Sequence, residues 1–395
     1  MTSTSTQPRT EEVLAAIDGI GELIAAKAAE GEANRRVSDE VMEALRGAGA
    51  LTTFIPSRFG GSDRNVADFL RISRQVALYD GGTSWVVTLS SLGSWMSTFY
   101  SAETQDEVRQ SNPLAAVSAV VAPSATTERV DGGYRVSGKW FYNSASWYSD
   151  AAILGVPVLS DDGELIDHGL ILVPRADYRI EDTWFTTGMR ASASNCVVIE
   201  DLFVPDERYV SFPGVIGGHF PGADVAGANH VTHADPLALF ALGLIGPALG
   251  LGVAAVEYVK SNMTKKIVLT NRMRKDSPTH LSELARAATL VDTAHLHAFR
   301  AAEVLDAAAR ERRLLTALES GQVRADTGWT ADCVVKAIDI LLTVNGAGSF
   351  SESNPLQRMW RDANVAARHG AVTSIQGWET YGRALSDPDG PVVPF

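Results

Sequence analysis

The stretch GYRVSGKWFYNSASWYSD, residues 133–150, sets Trp140, Phe141 and Tyr142 in a row ahead of Asn143 and Ser144. Strand alternation separates Trp140 and Tyr142 on one face from Phe141 and Asn143 on the other, with Ser144 at the strand end. Aromatic rings beside an amide and a hydroxyl suit a flat heteroaromatic ligand, since rings stack while polar groups bind edge nitrogens. An aromatic β-core explains the same residues, so their surroundings have to decide.

Outward from this stretch, residues 116–212 are rich in short β-branched or aromatic runs such as AAVSAVVA, AAILGVPVL, GLILVPR and NCVVIEDLFVP. Turn residues (DGG, SDDGE) separate them, which predicts a mostly antiparallel β-domain. On either side the apolar period becomes helical. Residues 11–115 predict an N-terminal helical domain, with Ser38 as a helix cap and Asp39 and Glu40 suiting a helix start. Residues 236–395 predict a C-terminal four-helix bundle, its helices near 236–272, 279–320, 325–345 and 355–384. Residues 213–235, rich in Gly, Pro and His, form a loop long enough for a lid or binding loop. The polar residues 1–10 lack a signal peptide's apolar core and read as a disordered tail. The fold class is therefore α+β.

The 395 residues are 45% hydrophobic and 21% charged, which supports a sizeable core in a globular protein. A net charge of -13 argues against a nucleic-acid or anionic-membrane surface. The run from Leu237 to Val259 is long enough for a membrane span, but its glycines, Pro247 and lack of flanking basic clusters favour a buried helix. Cys196 and Cys333 show neither disulfide nor zinc spacing, and a reducing cytoplasm fits them.

Other motifs carry less. GLGVAA at 250–255 imitates a dinucleotide fingerprint but lacks the preceding strand, so it reads as helix packing, and a bound nicotinamide is not expected. His230 and His233 have ligand-like spacing without a defined third and fourth ligand, so no metal is expected. His295 and His297 point to different faces of one helix. There is no GxSxG elbow. His369, in WRDANVAARHG (360–370), stands late on a helical run between Arg368 and Gly370. Alone, it reads as a structural histidine.

Taken in order, these pieces resemble the acyl-CoA dehydrogenase fold over nearly the whole chain. GYRVSGKWFYNSASWYSD is similar to that family's G-x-K-x-W-I-T-N-x4-D strand. GMRASASNCVVIEDLFVPDERYV resembles its G-x-R-x-S-x(4)-V-x-F-x-D-V-x-V-P segment. NGAGSFSESNPLQRMWRDANV resembles its G-G-x-G-x(5)-P-x-x-R-x-x-R-D-A stretch, with one extra residue before Pro355. Gap-free counting from Gly138 to Asp150 puts Tyr142 at the flavin-shielding aromatic and Ser144 at the hydroxyl that bonds flavin N5. Trp140 then replaces the lysine and Ala145 the asparagine; the less favoured register, aligned on Trp140, would give the N5 role to Tyr142.

The departures decide the function that the resemblance implies. Counting from Arg361 puts His369 at the tyrosine and Gly370 at the glutamate of the dehydrogenases' Y-E-G-T motif, so that base is missing. The alternative base position, near 235–240, offers only Asp235. The loop that touches CoA is replaced by VAPSATTERV, and the motif whose arginine holds the FAD pyrophosphate by NMTKKIVLT. A missing glutamate with a histidine here and a hydroxyl facing N5 resembles the hydroxylating branch of the superfamily. These are oxygenase components of two-component flavin-dependent monooxygenases. They take reduced FMN, or alternatively FADH2, from a separate NAD(P)H:flavin reductase, and hydroxylate small aromatic or natural-product substrates with O2 through a C4a-hydroperoxyflavin. A homotetramer is the family's habit.

The resemblance implies two catalytic residues, Ser144 at N5 and His369 as base or hydrogen-bond donor. The unperturbed imidazole pKa of about 6.5 leaves either state open to His369. The implied flavin-binding set is Tyr142, Asn143, Ser144, Trp184, Ser192 and Ser194, and Trp95 is a candidate for the substrate pocket. The competing enzyme reading is an acyl-CoA dehydrogenase-type oxidoreductase using Asp235 or a displaced base. A flavin-free binding protein on the same fold is the reading from another class.

Overall fold

The structure, a computed structural model, describes residues 8–160, 162–225 and 228–390; most of the expected tail, residues 1–7, lies outside the described residues. Helices α1 (Thr10–Gly19), α2 (Gly21–Asn34) and α3 (Asp39–Gly47) lay Val13, Ile17, Ile24, Val41 and Leu45 on α4 (Val66–Ala77) and α5 (Gly81–Met96). Polar side chains fix where the helices begin, each accepting a backbone N–H that the first turn leaves unpaired. Ser38 does so for α3, Asn65 for α4 and Asp80 for α5. The buried helix α5 is followed by α6 (Ala102–Arg109).

Eight strands follow among the described residues, β1 (Val117–Val120), β2 (Ala125–Val130), β3 (Gly133–Asn143), β4 (Ala151–Leu159), β5 (Leu165–Pro174), β6 (Arg179–Glu181), β7 (Asn195–Pro205) and β8 (Tyr209–Ser211). They form two four-stranded sheets, ordered β1-β4-β5-β8 and β2-β3-β7-β6, and only the β1–β4 pairing is parallel. Between the sheets Val136, Trp140, Val197 and Ile199 meet Leu154, Val156 and Ile171, and the Trp140 indole donates to the Gly155 carbonyl at 2.7 Å. Strand β2 occupies part of VAPSATTERV, where the sequence pattern predicts no strand.

The expected alternation through 140–143 fails at Tyr142. Pairing shifts between Trp140, opposite Val197, and Asn143, opposite Asn195, so that β3 carries one extra residue. Tyr142 absorbs the bulge in the left-handed region at φ +65. Phe141 and Tyr142 consequently both stand outside the sandwich, 49% and 74% exposed, while Trp140 and Asn143 are buried.

After α7 (Phe212–Ile216) the chain returns to helix. The expected loop is fastened to the end of α5: Trp95 Nε1 donates to Val231 O at 2.8 Å, and a Cβ on Gly222 would lie 1.7 Å from Thr98 O. Helices α8 (Pro236–Gly243), α9 (Gly246–Ser261), α10 (Pro278–Arg310), α11 (Ala317–Asn345) and α12 (Pro355–Ala366) build the rest of the main core with α4 and α5, and α13 (Ser374–Ser386) packs on α11. Asp306 of α10 caps α4 from outside it, accepting the Val66 and Ala67 N–H groups. The apolar stretch 236–264 is long enough to cross a membrane, but 78% of its most apolar window is buried inside the protein.

Three helix boundaries differ from expectation. Residues 265–277 are non-helical apart from short turns. Thr316 and Glu319 form a capping box that starts α11 at 317 rather than 325. The last expected helix divides at 367–373, so His369 lies in a turn and not on a helix.

Candidate active site

A cavity of about 530 Å³ opens where α5, β1, the β3 bulge, the loop before β7, α8 and the end of α12 converge. Its volume lies within the ordinary range for small-molecule sites. Trp85, Leu89, Leu92 and Met96 recur at helical spacing and turn one face of α5 into a wall. Gly93 lets that helix press on β1, because a Cβ there would sit 1.9 Å from Val117 O. Trp95 points about 100° round the helix from that wall. It is fully buried, edge-on to Phe99 and Phe240, and does not line the cavity. The expectation that it belongs to the substrate pocket is corrected: Trp95 is core, and Trp85 faces the pocket.

The bulge and the loop before β7 bring most of the remaining expected residues together. Phe141, Tyr142, Ser144, Trp184 and Ser194 all line the cavity. Tyr142 meets Trp184 edge-on, with ring centroids 6.1 Å apart. Trp184 is held by its Nε1 donating to Met189 O at 2.8 Å. Trp85 Nε1 donates to Ser144 Oγ at 3.0 Å, Ser144 and Ser194 hydroxyls are 2.7 Å apart, and Ser194 and Ser192 are again 2.7 Å apart. Ser192 therefore backs the row from behind, outside the lining. Asn143 also lies outside it, fully buried with neither amide atom partnered in the protein. Four non-glycine residues of this corner, Tyr142, Ala145, Met189 and Ala193, have φ between +51 and +65.

His369 closes the cavity from the opposite side, its ring centroid 6.1 Å from that of Trp85. The ring is exposed into the cavity, and desolvation by the protein around it pushes its pKa down to about 4. This corrects the expectation of a group titrating near 6.5: the imidazole is neutral at pH 7. Its Nδ1 accepts the Ala371 N–H at 3.2 Å, which places the neutral ring's proton on Nε2.

Beneath the site lies a buried carboxylate pair. Asp362 Oδ1 accepts the Met189 N–H at 2.5 Å, and Asp80 accepts the Thr83 N–H and hydroxyl. Burial and then the charge of Asp80 push Asp362 up to about 7, against smaller opposing effects of the Met189 N–H, Arg358 and Arg361. Asp235, the alternative dehydrogenase base, accepts N–H groups of Ala238 and Leu315 and is absent from the cavity wall. His230 Nε2 lies 3.9 Å from Asp306 Oδ1, away from the cavity.

The residues fit an isoalloxazine: exposed aromatic faces, a hydroxyl row and an unpartnered buried amide next to them. Sequence reasoning missed Trp85 and Arg368, which also lines the cavity. The i, i+4, i+7, i+11 spacing of 85, 89, 92 and 96 carries the signal for the first.

Residues 242–374 match the family described as acyl-CoA dehydrogenase, C-terminal domain. The oxygenase subunit HsaA of a flavin-dependent monooxygenase from Mycobacterium tuberculosis is 30% identical over 388 residues, 96% of each chain. The oxygenase component of an FADH(2)-dependent resorcinol hydroxylase from Rhizobium sp. is 31% identical over 389 residues, 93% of this chain and 91% of the relative. Among solved structures, XiaF from Streptomyces sp., in complex with FADH2 and glycerol, superposes with a TM-score of 0.91 at 34% identity, covering 97% of this chain and 98% of XiaF. With the dehydrogenase base absent from the cavity wall and these relatives matched from end to end, the chain belongs to the oxygenase components of two-component flavin-dependent monooxygenases built on the acyl-CoA dehydrogenase fold.

Proposed function

We propose that the protein hydroxylates a small aromatic substrate in this cavity, using reduced flavin delivered by a separate NAD(P)H:flavin reductase. The observation that carries this reading is the pairing, across one apolar cavity, of the Ser144 hydroxyl row with a neutral His369, with no carboxylate among the described residues that line it. A bound reduced flavin supplies activation of O2 and transfer of one oxygen atom to the substrate. The Phe141, Tyr142 and Trp184 rings would hold its ring system, and Ser144 and Ser194 would supply the polar side, with Ser192 and Asn143 supporting that row from behind the wall. Ser144 accepts from Trp85, which leaves its own proton free for Ser194 or for a ligand nitrogen. His369 offers Nε2–H as a donor, since Nδ1 is engaged by the backbone. Of its two expected roles, this geometry favours hydrogen-bond donor over base. Apolar walls from α5 and α8 exclude water.

Two relatives support FAD over the FMN expected from sequence, because XiaF carries FADH2 and the resorcinol hydroxylase is named for it. A homotetramer is the proposed assembly, supported by the exposed Trp329, Ile375, Trp378 and Leu385 on α11 and α13. The test mixes anaerobically reduced FAD or FMN, in separate runs, with the protein, oxygen and a panel of phenols and indoles. A hydroxylated product containing one atom from labelled O2 supports the reading. Reduction of the bound flavin by an acyl-CoA, without oxygen, would overturn it.

A further inference from the structure

Arg368 is the one formally charged side chain among the described residues lining the cavity. Its neighbour His369 is neutral, and no Asp or Glu of the described residues joins the wall. Nη1 makes both of its bonds to Asn364, 2.8 Å to the main-chain oxygen and 2.9 Å to Oδ1, while Asn364 Nδ2 is tied to Trp360 O at 2.9 Å. Those bonds anchor one corner of the guanidinium at the end of α12, where a cation also suits the helix dipole. They leave the rest of the fork without a protein acceptor, and no carboxylate of the described residues lies within ion-pair distance of Arg368. In a chain of net charge -13, an arginine left without a carboxylate at the edge of an apolar cavity is informative. A planar, pre-aligned donor fork of this kind recognises carboxylates in particular.

We infer that Arg368 is a specificity-determining residue that selects aromatic substrates carrying a carboxylate, held at the α12 end of the cavity. The inference rests on the hydroxylase reading above and names its substrate class. Oxygenation at the ring needs no such charge, so Arg368 acts on binding, and an uncharged aromatic of equal shape gains nothing from it.

The test compares 4-hydroxyphenylacetate with its uncharged amide, using the wild type, Arg368→Gln and Arg368→Lys. Binding is followed by tryptophan fluorescence, turnover is measured with a flavin reductase, and melting curves check each variant's fold. The wild type should bind the acid about tenfold or more tighter than the amide, in line with a charge-assisted pair. Arg368→Gln should abolish that preference by raising KM for the acid, with kcat and the amide's affinity unchanged, and Arg368→Lys should restore part of it. Equal binding of acid and amide by the wild type would overturn the inference, as would an equal loss for both ligands in Arg368→Gln. A tenfold fall in reduced-flavin affinity in Arg368→Gln would overturn it as well, since the charge would then serve the flavin. If the acid preference behaves as expected but no oxygenated product forms, the hydroxylase reading fails and the role of Arg368 stands.

Discussion

Ser144 accepts from Trp85 Nε1 on one side and shares a hydrogen bond with the Ser194 hydroxyl on the other, in which either oxygen can donate. Because Ser144 already accepts from Trp85, its own hydrogen can turn to the cavity when Ser194 donates to it, so the row can offer a donor to a ligand. Ser144→Ala should leave the fold intact but weaken reduced-flavin binding and raise the yield of H2O2 relative to product several-fold. Trp85→Phe, which keeps the ring but removes the N–H, should move both readouts in the same direction by less. Unchanged coupling and flavin affinity in Ser144→Ala would remove the serine from the mechanism. His369 adds a second expectation. With its pKa near 4, product formation should show no histidine-dependent limb between pH 5.5 and 8. A limb near pH 6.5 that disappears in His369→Asn would contradict the neutral state. The sequence identified Tyr142, Ser144, Trp184, Ser194 and His369 as residues to watch, because residue type and motif spacing are local properties. It misplaced Trp95, because which of two neighbouring tryptophans faces a cavity depends on how α5 is rotated against its partners. It also gave His369 an ordinary pKa, because desolvation comes from residues distant in the chain.

Between elements, the loop before β7 is tied to α12 by two hydrogen bonds, Met189 N–H to Asp362 and the Arg361 guanidinium to Thr187 O. Met189 in turn holds the Trp184 indole, so α12 positions an aromatic wall that it does not itself supply. A carboxyl whose native pKa is raised to about 7 stabilises the fold below the ordinary carboxylate range, and that contribution is lost as pH rises through 7. The pair titrates together with Asp80, facing Arg358 and Arg361, the latter also ion-paired to Glu32. Asp362→Asn keeps an acceptor for Met189 without the charge. Its melting temperature should exceed the wild type's by clearly more at pH 8 than at pH 5; an equal shift at both values would mean that Asp362 is ionised throughout. Sequence patterning supplied these elements but blurred their ends. Thr316-x-x-Glu319 was readable as a helix start, whereas the break at 367–373 follows from how α12 and α13 pack.

For the molecule as a whole, the cavity walls come from all three parts of the chain, so the fold's role is to hold helices and sandwich at a fixed separation. The one stretch that imitates a nucleotide-binding fingerprint, GLGVAA, is spent inside α9, where Gly250 meets the Arg74 carbonyl too closely for any side chain. The purified protein should therefore oxidise NADH no faster than buffer until a flavin reductase is added. Rapid NADH consumption by the oxygenase alone would refute the division of labour. The α+β architecture was legible because its texture changes twice along the chain, near 116 and near 212, and motif order did the rest.

The left-handed cluster at Tyr142, Ala145, Met189 and Ala193 has a consequence for how this protein can be improved. Each such backbone costs roughly 1–2 kcal/mol that glycine would not incur. Tyr142→Gly relieves the backbone and removes a ring that is 74% exposed, so little packing is lost with it. Selection for heat tolerance alone would thus drift toward glycine at the rim, trading a wall of the reaction chamber for a sturdier shell. Any thermostabilised descendant should be screened for peroxide leakage before its melting point is counted as progress.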